Sequence, residues 1–395
     1  MKSIFSKLWN ADFRKYNIPN LSLLWVIVAA GVAYLELHSA LLIDFEMLFS
    51  KFIASDPTHS QFSFLLPAVI VVYAIYLAVI VLLHEKASYK KIGKKPLNST
   101  TFPHFLVNII DFIFVVIGIF ILEKIFVFIF GVSWNLGSLS GVEGENHPFQ
   151  AIIDFYNAHI PTYIELPYLL AIPVVLICAD LPIYVAHYLT HKSRFLWFVV
   201  HRSHHSPEFM TPFGTGPVFA FALFIAIPYF FAALAESKLF YPEPLLVELM
   251  VIQLIYAFSE KFNHTSAFYD FSSKHRWFFK FFGNGPYHYM HHSAREGEEM
   301  VNIANMVFNF WDRVFGTFKE PDIEKPPIGL SHQPEIILNP FRLYLSGLAT
   351  IIYELKHNAP KHWFSIVFGS VYYTPPITKE FLILSYPRPK LYSVK

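Results

Sequence analysis

Six stretches of this chain approach the length of a bilayer crossing while carrying few charges, and no other feature narrows the fold as far. A hydrocarbon core of about 30 Å takes ~20 residues of helix, because backbone N–H and C=O groups cannot stay unpaired in lipid. The stretches run from Leu21 to Leu42, Phe62 to Leu83, Phe105 to Val132, Pro167 to Leu189, Pro217 to Ala235 and Pro244 to Phe258. The last is short and needs its flanks to complete a span. Composition agrees, with 54% of residues apolar, 15% charged and a mean hydropathy of +0.42. The expected fold is all-α, a polytopic membrane bundle of about six transmembrane helices with a histidine-rich helical cap. A further segment, Leu338 to Leu355, fits either an interfacial helix or a seventh hydrophobic segment.

Charges in the connections orient the bundle, since cytoplasmic loops carry excess Lys and Arg. Lys2, Lys7, Arg14 and Lys15 precede the first stretch, and Lys86, Lys90, Lys91, Lys94 and Lys95 follow the second, so both flanks are expected in the cytoplasm. Asp44 to Gln61 holds only Lys51, and Ser133 to Leu166 has no Lys or Arg while carrying Glu143, Glu145, Asp154 and Glu165; these loops are expected on the other side. The connection with Lys192, Arg194 and Arg202 returns to the cytoplasm. The first twenty residues show no apolar core or small-residue cleavage site, so the N-terminus is expected to remain attached and cytoplasmic. Without internal repeats or low-complexity tracts the chain reads as one continuous domain, in which N-terminal transmembrane helices and loops (1–166) lead to a histidine-rich region (167–320) and a proline- and aromatic-rich tail (321–395) that fits an interfacial position.

A net charge of +1 argues against a nucleic-acid surface, which needs clustered excess cations. The single cysteine, Cys178, excludes intrachain disulfides and Cys-based zinc or iron–sulfur sites. Histidine is the unusual count, at 19. His187 and His191 stand four apart on one helical face, with Asp180 and Tyr184 at the preceding turns of the same stripe. His201, His204 and His205 form His-x-x-His-His, whose helical spacing turns three imidazoles toward one point. His288, His291 and His292 repeat that box, and His264 lies between the two copies. All nine fall on the expected cytoplasmic side. Imidazole suits iron, zinc and copper, and nine ligands exceed what one ion takes, so two ions are expected, with a bridging water or hydroxide as an option.

A lone His-x-x-x-His often only caps a helix. Two His-x-x-His-His boxes on one side of a membrane, with the first box upstream, have no comparable structural use. His275 precedes Arg276 and Trp277 and reads as an interfacial anchor. His38, His59, His84, His104, His147, His159, His332, His357 and His362 read as loop or interface residues.

These motifs resemble the fatty acid hydroxylase and sterol desaturase superfamily of membrane di-metal oxidases. The shared pattern is Asp180, Tyr184, His187, His191, Trp197, His201, His204, His205, Ser206, His264, His288, His291 and His292, followed by WDRVFGTF from Trp311 to Phe318. It covers about Pro167 to Phe318, with weaker similarity from Gly329 to Pro340. Three residues between His187 and His191, where membrane acyl-CoA desaturases usually have four, favour the hydroxylase and sterol branch. The chain departs at Phe268, where some fatty acid 2-hydroxylases carry a further histidine.

The resemblance implies two irons, replaceable by zinc in isolated protein, with O2 as co-substrate and a lipid substrate: sterol, fatty acyl chain or ether lipid. Hydrogen is removed from an unactivated C–H bond, and hydroxylation and desaturation share that step. Asp180 and Tyr184 are candidates to orient the ligand rings, as are Asn302, Asn305 and Asp312, although WDRVFGTF equally fits a packing block. No dinucleotide fingerprint occurs, and His147-Pro148 continues Phe149-Gln150 instead of the His-Pro-Gly-Gly of a fused cytochrome b5. The electron donor is therefore expected to be a separate protein, cytochrome b5-like or a ferredoxin with its reductase. Lys90 to Lys95 and Arg202 offer a docking surface, though topology and lipid attraction explain them as well. The rival class is a histidine-rich membrane metal-binding or transport protein without redox catalysis, which would place ionisable groups near the bilayer midplane. A zinc hydrolase would need His-Glu-x-x-His, which does not occur.

Overall fold

The computed structural model describes residues 2–11, 148–207, most of 220–249 and of 263–330, 339–381 and scattered positions between 72 and 128. Among these residues it is mostly helical, without strands; three isolated antiparallel bridges join Ser193 to Ser370, Phe282 to Phe308 and Ser293 to Ile328. The helices are α1 (Lys2–Trp9), α2 (Pro148–His159), α3 (Tyr168–Lys192), α4 (Arg202–His205), α5 (Ile227–Phe240), α6 (Pro286–His291), α7 (Phe310–Phe315), α8 (Pro340–His357) and α9 (Trp363–Phe368). π-helical turns at Leu196–His201 and Ala222–Ala226 lead into α4 and α5.

Among the described residues, two helices are long and apolar enough to cross a membrane, Tyr168–Lys192 and Leu223–Phe240, and they fall on the fourth and fifth expected spans. Leu21 to Leu42 lies outside the described residues, Phe62 to Leu83 and Phe105 to Val132 are described only at scattered helical positions, and Pro244 to Phe258 only at its start. Ser133 to Leu166, expected as a loop, contains α2, whose Tyr156 hydroxyl donates to the Phe231 carbonyl at 2.8 Å. The 25 residues of α3 reach about 37 Å, enough for the hydrocarbon core. Its internal Pro173 and Pro182 are tolerated as they are in other membrane helices.

α3 and α5 run antiparallel. The N–H groups of Tyr163 and Ile164 reach the Leu239 carbonyl, and Leu166 that of Phe240, which ties the start of α3 to the end of α5. Ala171, Val175, Ala179 and Ile183, each four residues on from the last, bury one stripe of α3 against Tyr229, Ala233 and Leu234 of α5. In lipid the gain from such a seam is close packing, and alanines let the backbones approach.

The tail segment starting near Leu338 is α8, which is not apolar enough to count as a span; its N-cap Asn339 joins two helices. Asn339 Oδ1 accepts from the N–H groups of Phe341 and Arg342, while Nδ2 donates to the carbonyls of Leu8, Trp9 and Ala11 at the end of α1. A cap of this kind is worth about 1 kcal/mol. α8 lies against the π turn so closely that a Cβ on Gly347 would stand 1.7 Å from the Phe198 carbonyl oxygen. Beside it, Arg194 and Glu354 form a buried two-bond ion pair at 2.5 and 2.9 Å, and Glu354 also accepts from Thr378. The tail thereby grips the connection between the first two histidine boxes. Arg202 pairs with Glu380 at 3.1 Å, so this cation of the expected docking surface is engaged by the tail.

Candidate metal centre

The first box ends α3, so His187 and His191 share its inner face with Asp180 and Tyr184, as the spacing predicts. The chain then turns through Leu196–His201, where i to i+5 bonding fits one extra residue into the turn and rotates His201 relative to α4. The last box is α6, a six-residue helix opened by Pro286 at its first turn. Eight of the nine histidines are buried and His204 is half-buried.

The nine rings sort into two groups, and the sorting corrects the expectation that each His-x-x-His-His converges on one point. His187, His191, His201, His205 and His291 make one group; His204, His264, His288 and His292 make the other. Within each, the ligand atoms lie within 4.8 Å of one another. The first and last members of a box go to one group and the middle one crosses to the other. On a helix of 3.6 residues per turn, i+3 and i+4 flank i on opposite sides, about 100° apart around the axis, so a middle histidine can turn to the other group while the outer two stay together.

Nitrogen spacing fits metal ligation. Nε2 of His201 stands 2.9 Å from that of His187 and 3.0 Å from that of His205. In the other group, His264 Nε2 is 3.3 Å from His204 and 3.0 Å from His288, and His292 is 3.1 Å from His288. Metal–imidazole bonds of about 2.0–2.1 Å separate neighbouring ligand nitrogens by about 2.9–3.4 Å in octahedral or tetrahedral arrangement. Nε2 of His191 and of His291 are buried without a hydrogen-bond partner among the described residues, a costly state that ligation relieves. Burial, reinforced by the neighbouring imidazoles, pushes His201, His205, His288 and His292 well below the ordinary imidazole range; for His291 burial and His187 outweigh an opposing backbone bond. The rings are therefore neutral, the form that binds a metal.

Two rings are aimed by backbone carbonyls. His187 Nδ1–H donates to Ile303 at 2.5 Å and His291 Nδ1–H to Val301 at 3.0 Å, leaving each Nε2 for an ion. Asp312, fully buried, anchors that 301–304 segment: it accepts from the N–H groups of Ile303 at 2.8 Å and Ala304 at 2.7 Å, from Thr317 at 2.5 Å and, by a short bond, from Tyr287. Burial holds its carboxyl above the usual carboxylate range although these bonds pull the other way. Asn302 sits at φ 54°, a left-handed conformation asparagine tolerates, and its side chain spans the Tyr287 and Lys319 carbonyls and the Lys319 N–H. The WDRVFGTF block is thus a scaffold for ring orientation as well as packing. Its Gly316, at φ 73°, ends α7 and lets the chain turn back to Thr317.

Tyr184 donates to Thr317 at 2.8 Å and reaches Asp312 through it. It supports the ring scaffold at one remove. Asp180 is buried on the same stripe of α3, two turns before His187. Asn305 and Phe268 lie outside the described residues. His159, His275, His357 and His362 belong to neither group, and His38, His59, His84, His104, His147 and His332 also lie outside the described residues. The carbonyls of Val301 and Ile303 and the Tyr287 hydroxyl carry no sequence signal, and Thr317 was legible only as part of WDRVFGTF.

Residues 172–317 match the family model described as fatty acid hydroxylase. The chain carries a fatty acid hydroxylase domain. That family belongs to the sterol desaturase and fatty acid hydroxylase superfamily of oxidoreductases acting on lipids. The matched hydroxylase domain holds all nine grouped histidines and ends at Thr317, the residue that closes the Asp312 scaffold. Neither a curated protein nor a solved structure matches the chain. The two apolar helices and the hydroxylase domain together point to a membrane protein.

Proposed function

We propose that this domain is a di-iron oxidase that uses O2 and two external electrons to hydroxylate or desaturate a membrane lipid. The observation that carries this reading is the pair of adjacent imidazole groups with nitrogens about 3 Å apart at the end of a membrane-length helix. For hydroxylation, a C–H bond, O2, two electrons and two protons become C–OH and water. For desaturation, two adjacent C–H bonds are lost and two waters form. Bound in the two groups, the metals would supply O2 reduction and removal of the first hydrogen. The chain's part is to hold nine imidazoles in place, to fix the two Nδ1–H groups on Ile303 and Val301, and to exclude bulk water by burial. Phe310, Val314 and Phe315 of α7 are exposed beside α3, where the Trp311 indole N–H donates to the Ile177 carbonyl. That apolar flank fits a lipid approaching from the bilayer.

In this reading the N-terminus and histidine boxes are cytoplasmic and a cytochrome b5-like protein, or a ferredoxin with its reductase, delivers electrons. The test is lipid analysis of cells expressing the chain under isotopically labelled O2. A lipid gaining labelled oxygen, or losing two hydrogens only when the chain is present, supports the proposal. An unchanged lipid profile from protein that retains metal favours metal binding or transport without redox catalysis.

A further inference from the structure

The segment from Pro360 to Tyr372, which includes α9, lies outside the matched hydroxylase domain and exposes a set of large rings. Trp363 is 47% exposed, Phe364 73%, Phe368 65% and Tyr372 72%, while Ile366 alone on α9 is buried. Phe364 and Phe368 stand one turn apart with ring centroids at 5.5 Å. Such a cluster on a soluble surface would mark an interaction site. The surrounding charge is basic, with Lys356, Lys361 and Lys379 all exposed.

What covers these rings follows from where the segment is tied. The Gly369 carbonyl accepts from the Arg194 N–H at 2.9 Å, the Val371 N–H donates to the Lys192 carbonyl at 3.1 Å, and Ser193 and Ser370 form an antiparallel bridge. Arg194 also donates to the Ile366 carbonyl at 3.2 Å. Lys192 and Ser193 are where α3 ends. When α3 spans the bilayer, its end lies at the membrane–water boundary, and α9 is held at that depth. Exposed Trp, Phe and Tyr with flanking Lys are what an interfacial anchor requires: rings at the headgroup level and cations toward anionic headgroups. We infer that Pro360 to Tyr372 is an interfacial foot whose rings insert into the headgroup region of a leaflet containing anionic lipid. The foot also braces the connection between the first two histidine boxes against the membrane. The inference rests on α3 crossing the membrane and not on oxidase chemistry, so its test and the lipid assay fail independently.

The full chain is reconstituted into phosphatidylcholine vesicles containing phosphatidylserine, with bromine on the acyl chains either near the headgroup or near the tail end. Trp363 emission is the difference between the wild type and Trp363→Phe, whose unchanged metal content certifies an intact domain. The expected result is loss of that emission, greater with shallow than with deep bromine, and little quenching by aqueous iodide. Replacing Phe364 and Phe368 by Ser should shift the emission to the red and open it to iodide. Quenching by iodide without quenching by bromolipid would overturn the inference by placing the ring in water. Protection from both quenchers would overturn it in favour of a covering protein surface, such as a second copy, and stronger deep than shallow quenching would overturn the interfacial depth.

Discussion

His187 donates its Nδ1–H to the Ile303 carbonyl, and the N–H of that same Ile303 is held by the carboxylate of Asp312, so one acid fixes the direction of a ligand ring it never touches. Outer partners of ligating imidazoles typically govern affinity by 10–100-fold. Asp312→Asn, which must offer an amide to a site built from donors, should weaken metal binding by about that factor. Competition against a chelator measures it; unchanged affinity would reduce Asp312 to a packing residue.

Interleaving of the boxes puts His204 and His291 in different histidine groups. His204→Ala opens the four-histidine group and His291→Ala the five-histidine group. Each variant should keep one ion more tightly than the other, and the two should lose different ions as judged by the spectrum of what remains. Activity should be lost in both. Identical residual spectra would mean that the rings serve one shared site.

Acid should act on both stability and loading. His201, His205, His288, His291 and His292 are held below the ordinary imidazole value of 6.5 by burial and neighbouring rings, whereas the unfolded chain titrates near that value. Between the two, the unfolded chain binds more protons, so stability rises with pH. Their contribution is complete above about 6.5 and is lost as pH falls toward the depressed values. Metal-free protein should therefore melt at progressively lower temperature from about pH 7 to about pH 5. Loaded protein should release metal in acid as protons compete for the rings. A flat melting curve in the metal-free protein would contradict the neutral, buried cluster.

Arg194 and Glu354 are 4% and 0% exposed, so removing one strands the other. Glu354→Gln should destabilise the domain by about 3–5 kcal/mol, the range for breaking a buried pair. Arg194→Met combined with Glu354→Leu should cost much less. Thermal unfolding in detergent compares them; equal losses in the single and double variants would show that burial of charge is not what makes the pair matter.

The candidate histidines were legible because metal ligation demands a residue type at a fixed spacing, and His-x-x-His-His at 201–205 and 288–292 leaves that pattern in the string. Their division into two groups was not. Which group His204 or His291 joins depends on how α4 faces α6, and the π turn before α4 resets that angle by one residue. Likewise, hydropathy identified α3 and the segment from Leu338 to Leu355, but the role of Asn339 in capping α8 and holding the end of α1 needs contacts as far as 331 residues apart. Arg194 and Arg202 read as topology signals because charge counting cannot see Glu354 and Glu380, 160 and 178 residues away.

Two histidine groups should hold two metal ions. Elemental analysis of the chain purified in detergent, with Mössbauer spectroscopy after growth on enriched iron, measures this. Two irons per chain in a coupled spectrum are expected. A single ion per chain, or none in protein whose helices are intact, would contradict the two-metal reading.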